Sequence, residues 1–202
     1  MANAIETTSP AEVVRLVKKF GVAIWRRLVP PEITSAILAP AEEHLQRPES
    51  YASLRYGVLN LNILPADLQA ACVVPEISEV YSAALGPHEV SIREIYLTRP
   101  GFFHPHEWHQ DANAKNRRYH FMTWIAATPC GLYAPGLSFA LGNPGEYLPG
   151  GPADVVEKSA VISPIFEPGD AFFFDVFSIH KTNQTEEMPL SRVAYKLGAQ
   201  KI

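Results

Sequence analysis

Apolar positions in the first third of the chain recur at helical spacing. Ser9-Pro10-Ala11-Glu12 has the form of a capping box with proline at the first helical position. Val13, Val14, Leu16, Val17 and Phe20 then line one face, and Gly21 marks a stop. Residues Val22 to Val29 have the composition of a short strand. Pro30-Pro31-Glu32 opens a second helix to about Gln46, with Ile33, Ile37, Leu38 and Leu45 as its apolar positions. A third helical stretch is predicted between Ala66 and Leu85, interrupted or restarted at Pro75.

From about Glu89 the pattern changes. Short runs rich in β-branched and aromatic residues alternate with Pro-Gly, Gly-Asn-Pro-Gly and Pro-Gly-Gly-Pro turns. The predicted strands are Val90–Thr98, Tyr119–Thr128, Leu137–Leu141, Val155–Phe166, Ala171–Phe177, Ile179–Thr182 and Arg192–Leu197. Seven short strands after a helical third predict a mainly β fold, a sandwich or jelly roll with helices packed on one sheet. No helical pattern separates these strands, which disfavours a parallel α/β fold. No repeat or linker divides residues 1–202. The expectation is one domain, helical to about residue 88 and jelly-roll from about 89.

Composition narrows the class without naming a reaction. Of 202 residues, 47% are hydrophobic and 19% charged, enough apolar content for a core and too much for a disordered chain. Twelve glycines and 18 prolines fall below low-complexity levels, and most of the prolines lie between apolar runs. The formal net charge is −4 and there is no long basic stripe, which argues against nucleic acid as a partner. No apolar run approaches a membrane span, and the first residues lack the form of a signal peptide. Cys72 and Cys130 form no Cys-x-x-Cys pair, so reduced thiols in a cytoplasmic protein are expected.

Four of the seven histidines, His104, His106, His109 and His120, fall within 17 residues. His109-Gln110-Asp111 is the informative group. On an extended segment, residues two apart point the same way, so imidazole and carboxylate can face one centre. His180 closes the apolar run from Phe172 and is the candidate third ligand. Two histidines and one carboxylate on one face of a metal leave three positions open, an arrangement suited to non-haem Fe(II). Thr182 shares the strand face of His180. Arg192 follows twelve residues later, room for a turn and a return strand. A guanidinium inside a barrel needs an anion, and a dicarboxylic co-substrate with one end on iron would supply it.

With these motifs the sequence resembles the phytanoyl-CoA dioxygenase-like branch of the Fe(II)/2-oxoglutarate oxygenases. The resemblance rests on Trp108-His109-Gln110-Asp111, Trp124 to Gly131, Pro135-Gly136-Leu137, Pro168-Gly169-Asp170 with the following Ala171 to Asp175, His180-Lys181-Thr182-Asn183, and Arg192. It implies a double-stranded β-helix fold with iron held by His109, Asp111 and His180. It also implies 2-oxoglutarate bound by Arg192 and Thr182, with Trp124 against it. The implied activity is hydroxylation of a small-molecule metabolite, with O₂ as second co-substrate and succinate and CO₂ released. Asp111 argues for hydroxylation or desaturation over halogenation, because a small residue there would free a position for halide. Two departures stand out. Leu141-Gly142-Asn143-Pro144-Gly145 replaces the family's usual mid-barrel turn, and the chain is short, which predicts an open site or one completed by another subunit.

Ordinary readings stand beside these. If Trp124 points inward, alternation turns His120 and Met122 inward as well, and core packing competes with a substrate-pocket role. Inward Arg192 places Ala194 inside and leaves Val193, Tyr195 and Leu197 for the outer helices. His104 and His106 read first as loop histidines, and Lys115, Arg117 and Arg118 as a solvated loop. The alternatives to the oxygenase are a cupin-like metalloenzyme that does not use 2-oxoglutarate and a catalytically silent jelly-roll binding protein. Substrate identity and oligomeric state are not legible.

Overall fold

The computed structural model describes residues 5–46, 58–98, 106–112, 120–142, 144–185 and 187–202. His104, the basic residues Lys115, Arg117 and Arg118, and Asn143 of the mid-barrel turn lie outside them. Helices α1 (Pro10–Phe20) and α2 (Pro31–Gln46) flank β1 (Ala23–Trp25). After β2 (Val58–Asn60) come α3 (Ala66–Ala71) and α4 (Pro75–Leu85), so Pro75 restarts the helix as its missing N–H requires. Gly21 ends α1 in the left-handed conformation, its N–H on the Val17 carbonyl. The predicted capping box does not form: Ser9 makes no side-chain cap, and Glu12 turns to the Arg15 guanidinium.

The remaining strands are β3 (His88–Thr98), β4 (His120–Ala126), β5 (Gly136–Ala140), β6 (Val161–Ile162), β7 (Ala171–Asp175), β8 (His180–Asn183) and β9 (Arg192–Lys201). They form an antiparallel jelly roll. One sheet has the order β1-β7-β4-β9-β3-β2, and the other β6-β5-β8. The long strand predicted over Val155–Phe166 is corrected: Ala153–Lys158 is a helix, α5, and only Val161 and Ile162 pair with β5. Pro152 precedes the helix, and Asp154 and Lys158 match its dipole, which outweighs the strand preference of Val155-Val156. The strand over Val22–Val29 shrinks to three residues because the chain turns at Arg27, whose φ is 53°. Strand β7 stops at Asp175, whose side chain accepts from the Phe177 N–H and the Ser178 hydroxyl.

Alternation divides the large sheet into two faces. Phe121, Ile125, Phe173, Val193, Tyr195 and Leu197 pack against Val13, Leu16, Val17, Ile77 and Val80 of the helices. Met122, Trp124, Phe172, Phe174 and Ala194 face the other way and meet Leu137 and Phe139 of the small sheet. Each fully buried phenylalanine contributes about 2 kcal/mol of hydrophobic stabilisation, so the three-phenylalanine run supports both cores. Among the described residues no helix is long and apolar enough to cross a membrane. Cys72 and Cys130 are buried and unbridged.

Candidate metal centre

Backbone pairing brings the three candidate ligands together. The segment before Asp111 runs alongside β8: the His109 and His180 backbones exchange hydrogen bonds of 2.9 and 3.0 Å, and the Thr182 N–H donates to the His106 carbonyl at 2.9 Å. Between His109 and Asp111, the side chain of Gln110 clamps the loop. Its amide donates to the carbonyls of Phe177 at 2.7 Å and Glu146 at 2.9 Å, and its oxygen accepts from the Leu148 N–H at 2.8 Å. The Ala112 N–H donates to the Val176 carbonyl. Gln110 therefore fixes the two residues on either side of it.

The ligand atoms of His109, Asp111 and His180 lie within 4.8 Å of one another. Asp111 Oδ1 is 3.7 Å from His109 Nε2 and 3.8 Å from His180 Nε2. Each imidazole is oriented from behind. His109 Nδ1 lies 2.7 Å from the Glu107 carbonyl, and His180 Nδ1 lies 3.1 Å from the Ser178 carbonyl. A carbonyl only accepts, so both Nδ1 atoms carry hydrogen and both Nε2 lone pairs face the centre. Burial pushes His180 down to about 4, which keeps it neutral and able to ligate. Asp111 is half-buried, a cost to its charge, yet the Lys196 ammonium holds its carboxyl well below the ordinary range. The His106 ring stacks on His109 at 3.6 Å between centroids, so His106 supports a candidate ligand.

Lys196 escaped the sequence reading. Its Nζ lies 3.6 Å from Asp111 Oδ2 and 3.5 Å from Glu94 Oε2. The signal was present, because the alternation that turns Arg192 and Ala194 inward continues to Lys196. Along β9 that inner row meets β3 as Arg192 opposite Thr98, Ala194 opposite Tyr96, and Lys196 opposite Glu94.

Arg192 is buried, and burial lowers its pKa. Its Nη1 donates to the Pro135 carbonyl at 3.4 Å, a long bond, while its Nε is buried without a hydrogen-bond partner. Among the described residues no carboxylate pairs with it. The guanidinium carbon lies 5.7 Å from the Trp124 ring, so these two sequence candidates do meet. Opposite Arg192, Thr98 Oγ1 is likewise buried and without a partner. Thr182 is half-buried on β8 opposite Leu137 and is not the hydrogen-bond partner of Arg192. The Pro135 carbonyl is delivered by a tight loop. A side chain at Gly131, where φ is +98°, would place Cβ 2.5 Å from the Pro164 oxygen, and one at Gly136 would sit 2.7 Å from the Gly131 Cα. Met122 is packed in the inner apolar cluster, and His120 is buried at the start of β4.

No family model matches the sequence, and no curated protein matches it. Solved structures do. The chain is similar to EctD from S. alaskensis, solved with 2-oxoglutarate and 5-hydroxyectoine, at TM-score 0.79 and 14% identity, covering 97% of this chain and 77% of that one. It is similar to SnoK, a non-heme alpha-ketoglutarate-dependent carbocyclase from nogalamycin biosynthesis, at TM-score 0.75 and 18% identity, covering 94% and 83%. AviO1 from Streptomyces viridochromogenes matches at TM-score 0.75 and 18% identity over 96% of both chains. At these identities the shared property is the fold, the jelly roll read from the strand pattern.

Proposed function

We propose that this chain is a non-haem Fe(II)- and 2-oxoglutarate-dependent dioxygenase of the phytanoyl-CoA dioxygenase-like type, acting as one domain. It would hydroxylate a small-molecule metabolite and release succinate and CO₂. One observation carries this reading. Two imidazole nitrogens and a carboxylate oxygen converge on one point, and the same barrel interior holds a buried arginine that has no carboxylate partner among the described residues. The donor set fits a single divalent cation: the ring hydrogens are already committed to backbone carbonyls, and the carboxylate is held ionised. Two structural neighbours are described as alpha-ketoglutarate-dependent or carry 2-oxoglutarate, which agrees with the donor set and the arginine.

On this reading His109, Asp111 and His180 hold Fe(II). Arg192 binds the far carboxylate of 2-oxoglutarate through donors that the folded chain leaves unused, with Thr98 offering a hydroxyl from the adjacent strand β3 and Thr182 one from β8 of the small sheet. Trp124 packs against the guanidinium and excludes water from the pair, which strengthens it. Bound iron with 2-oxoglutarate and O₂ supplies the oxidising power for an unactivated C–H bond. Asp111 completes a three-residue ligand set, which favours hydroxylation over halide transfer. His120 and Met122 are proposed lining residues of the substrate side.

The test is an anaerobic titration. Native protein with Fe(II) is expected to develop the weak visible charge-transfer band of a chelated 2-oxo acid when 2-oxoglutarate is added, and to release succinate once O₂ is admitted. Iron uptake without the band would remove 2-oxoglutarate and favour a cupin-like metalloenzyme. No iron uptake would leave a binding protein.

A further inference from the structure

The two oxygens of Asp111 have different neighbours. Oδ1 faces His109 Nε2 and His180 Nε2 at 3.7 and 3.8 Å, whereas Oδ2 faces Lys196 Nζ at 3.6 Å. Lys196 is in turn held by Glu94, at 3.5 Å, and its Nζ lies 5.2 Å from the Tyr96 ring centroid. The Tyr96 hydroxyl donates to Glu94 Oε2 at 2.8 Å. The lysine side chain is only 12% exposed. With carboxylates on two sides, this ammonium is not a vacant anchor for an anionic substrate.

We propose that Lys196 is a positioning residue for the metal centre: it holds Asp111 by Oδ2, leaves Oδ1 as the single ligand oxygen, and biases bound iron towards the ferrous state. The inference rests on the function proposed above. A fixed positive charge beside a ligand opposes the gain of one more positive charge at the metal, and a buried site screens that effect poorly. Glu94, half-exposed, acts in the opposite sense. The bias suits chemistry that must start from Fe(II) and that would stall if the metal oxidised before substrate arrived.

The experiment is a redox titration of iron-loaded protein without 2-oxoglutarate, reading the high-spin ferric signal by electron paramagnetic resonance. At a fixed applied potential, Lys196→Met is expected to raise the ferric-to-ferrous ratio roughly tenfold or more. Tenfold corresponds to about 59 mV for one electron. Lys196→Arg is expected to stay within about threefold of native, and Glu94→Gln to move the ratio the other way by a smaller factor. An iron-loaded Lys196→Met protein within about twofold of native would overturn the assignment. If that variant does not fold, Glu94→Gln decides, and an unmoved ratio there would overturn it equally. Native protein that takes up no iron would overturn the oxygenase reading itself, so the two failures are distinct.

Discussion

Two buried ionic groups in this molecule are built on different rules. At the corner between β1 and β7, both oxygens of Asp170 are hydrogen-bonded. Its Oδ2 accepts from Arg26 at 2.7 Å and from the Glu167 N–H at 3.0 Å, and its Oδ1 accepts from the Arg27 N–H at 2.9 Å. Arg26 spends its other donors on Glu6 and the Ile165 carbonyl. In the barrel interior, Arg192 Nε and Thr98 Oγ1 are buried without a hydrogen bond, and Asp111 Oδ2 has the Lys196 ammonium at 3.6 Å but no hydrogen bond. Buried polar groups ordinarily find partners, and leaving them without costs about 1–3 kcal/mol each. The corner charges hold the chain together. The barrel charges weaken it, which is reasonable where a ligand completes the set.

Substitutions that act oppositely in the two regions test this contrast. The largest effect is expected from Asp111→Ala, which removes a proposed ligand and should weaken Fe(II) binding roughly 100-fold or more, read by metal titration. Next is Arg192→Met. It should weaken 2-oxoglutarate binding roughly 100-fold while raising fold stability by about 1–3 kcal/mol, since an unpaired buried charge is replaced by an apolar chain. Calorimetry would show the thermal midpoint moving up by a few degrees. A midpoint that fell instead would mean that Arg192 is as structural as Arg26.

Asp170→Ala should do the reverse. It removes one of the two carboxylate partners of Arg26 and leaves two backbone N–H groups without their acceptor, and a loss of about 2 kcal/mol is expected in denaturant unfolding, moderated because Arg26 is 35% exposed. Its affinity for 2-oxoglutarate should stay within about twofold of native at low temperature, because the side-chain hydrogen bonds of Asp170, to Arg26, Arg27 and Glu167, involve none of the proposed binding residues. The smallest effect is a pH dependence of the metal-free protein. His180 sits at about 4 when folded, against about 6.5 when unfolded. The unfolded chain therefore binds the proton first, and stability present above pH 6.5 drains away as the pH falls towards 4. Unfolding free energies at pH 7 and pH 5.5 should differ by about 1 kcal/mol, and His180→Gln should flatten that slope.

Much of this was legible in the chain because strand periodicity is a local property. The inward set of β4 and β9 followed from placing Trp124 and Arg192 inside, and the small and large sheets separate the faces accordingly. The three candidate ligands were found from spacing and strand position alone. What the sequence concealed depends on register. That Thr98 lies opposite Arg192, and Glu94 opposite Lys196, follows from β3 pairing with β9, and no local signal reports that pairing. Lys196 sits where a lysine reads as an exposed strand residue until the partner carboxylates are in place. Helix α5 was misread because Val155-Val156 carries strand preference, while the Pro152 start and its terminal charges are weaker cues.

One measurement bears most directly on the barrel interior being an incomplete binding site: calorimetric titration of 2-oxoglutarate into Mn(II)-loaded protein, native and Arg192→Met side by side. The native chain should bind one equivalent, and the variant should bind roughly 100-fold more weakly despite its higher thermal midpoint. Equal affinity in the two proteins, or no binding by the native chain, would contradict it.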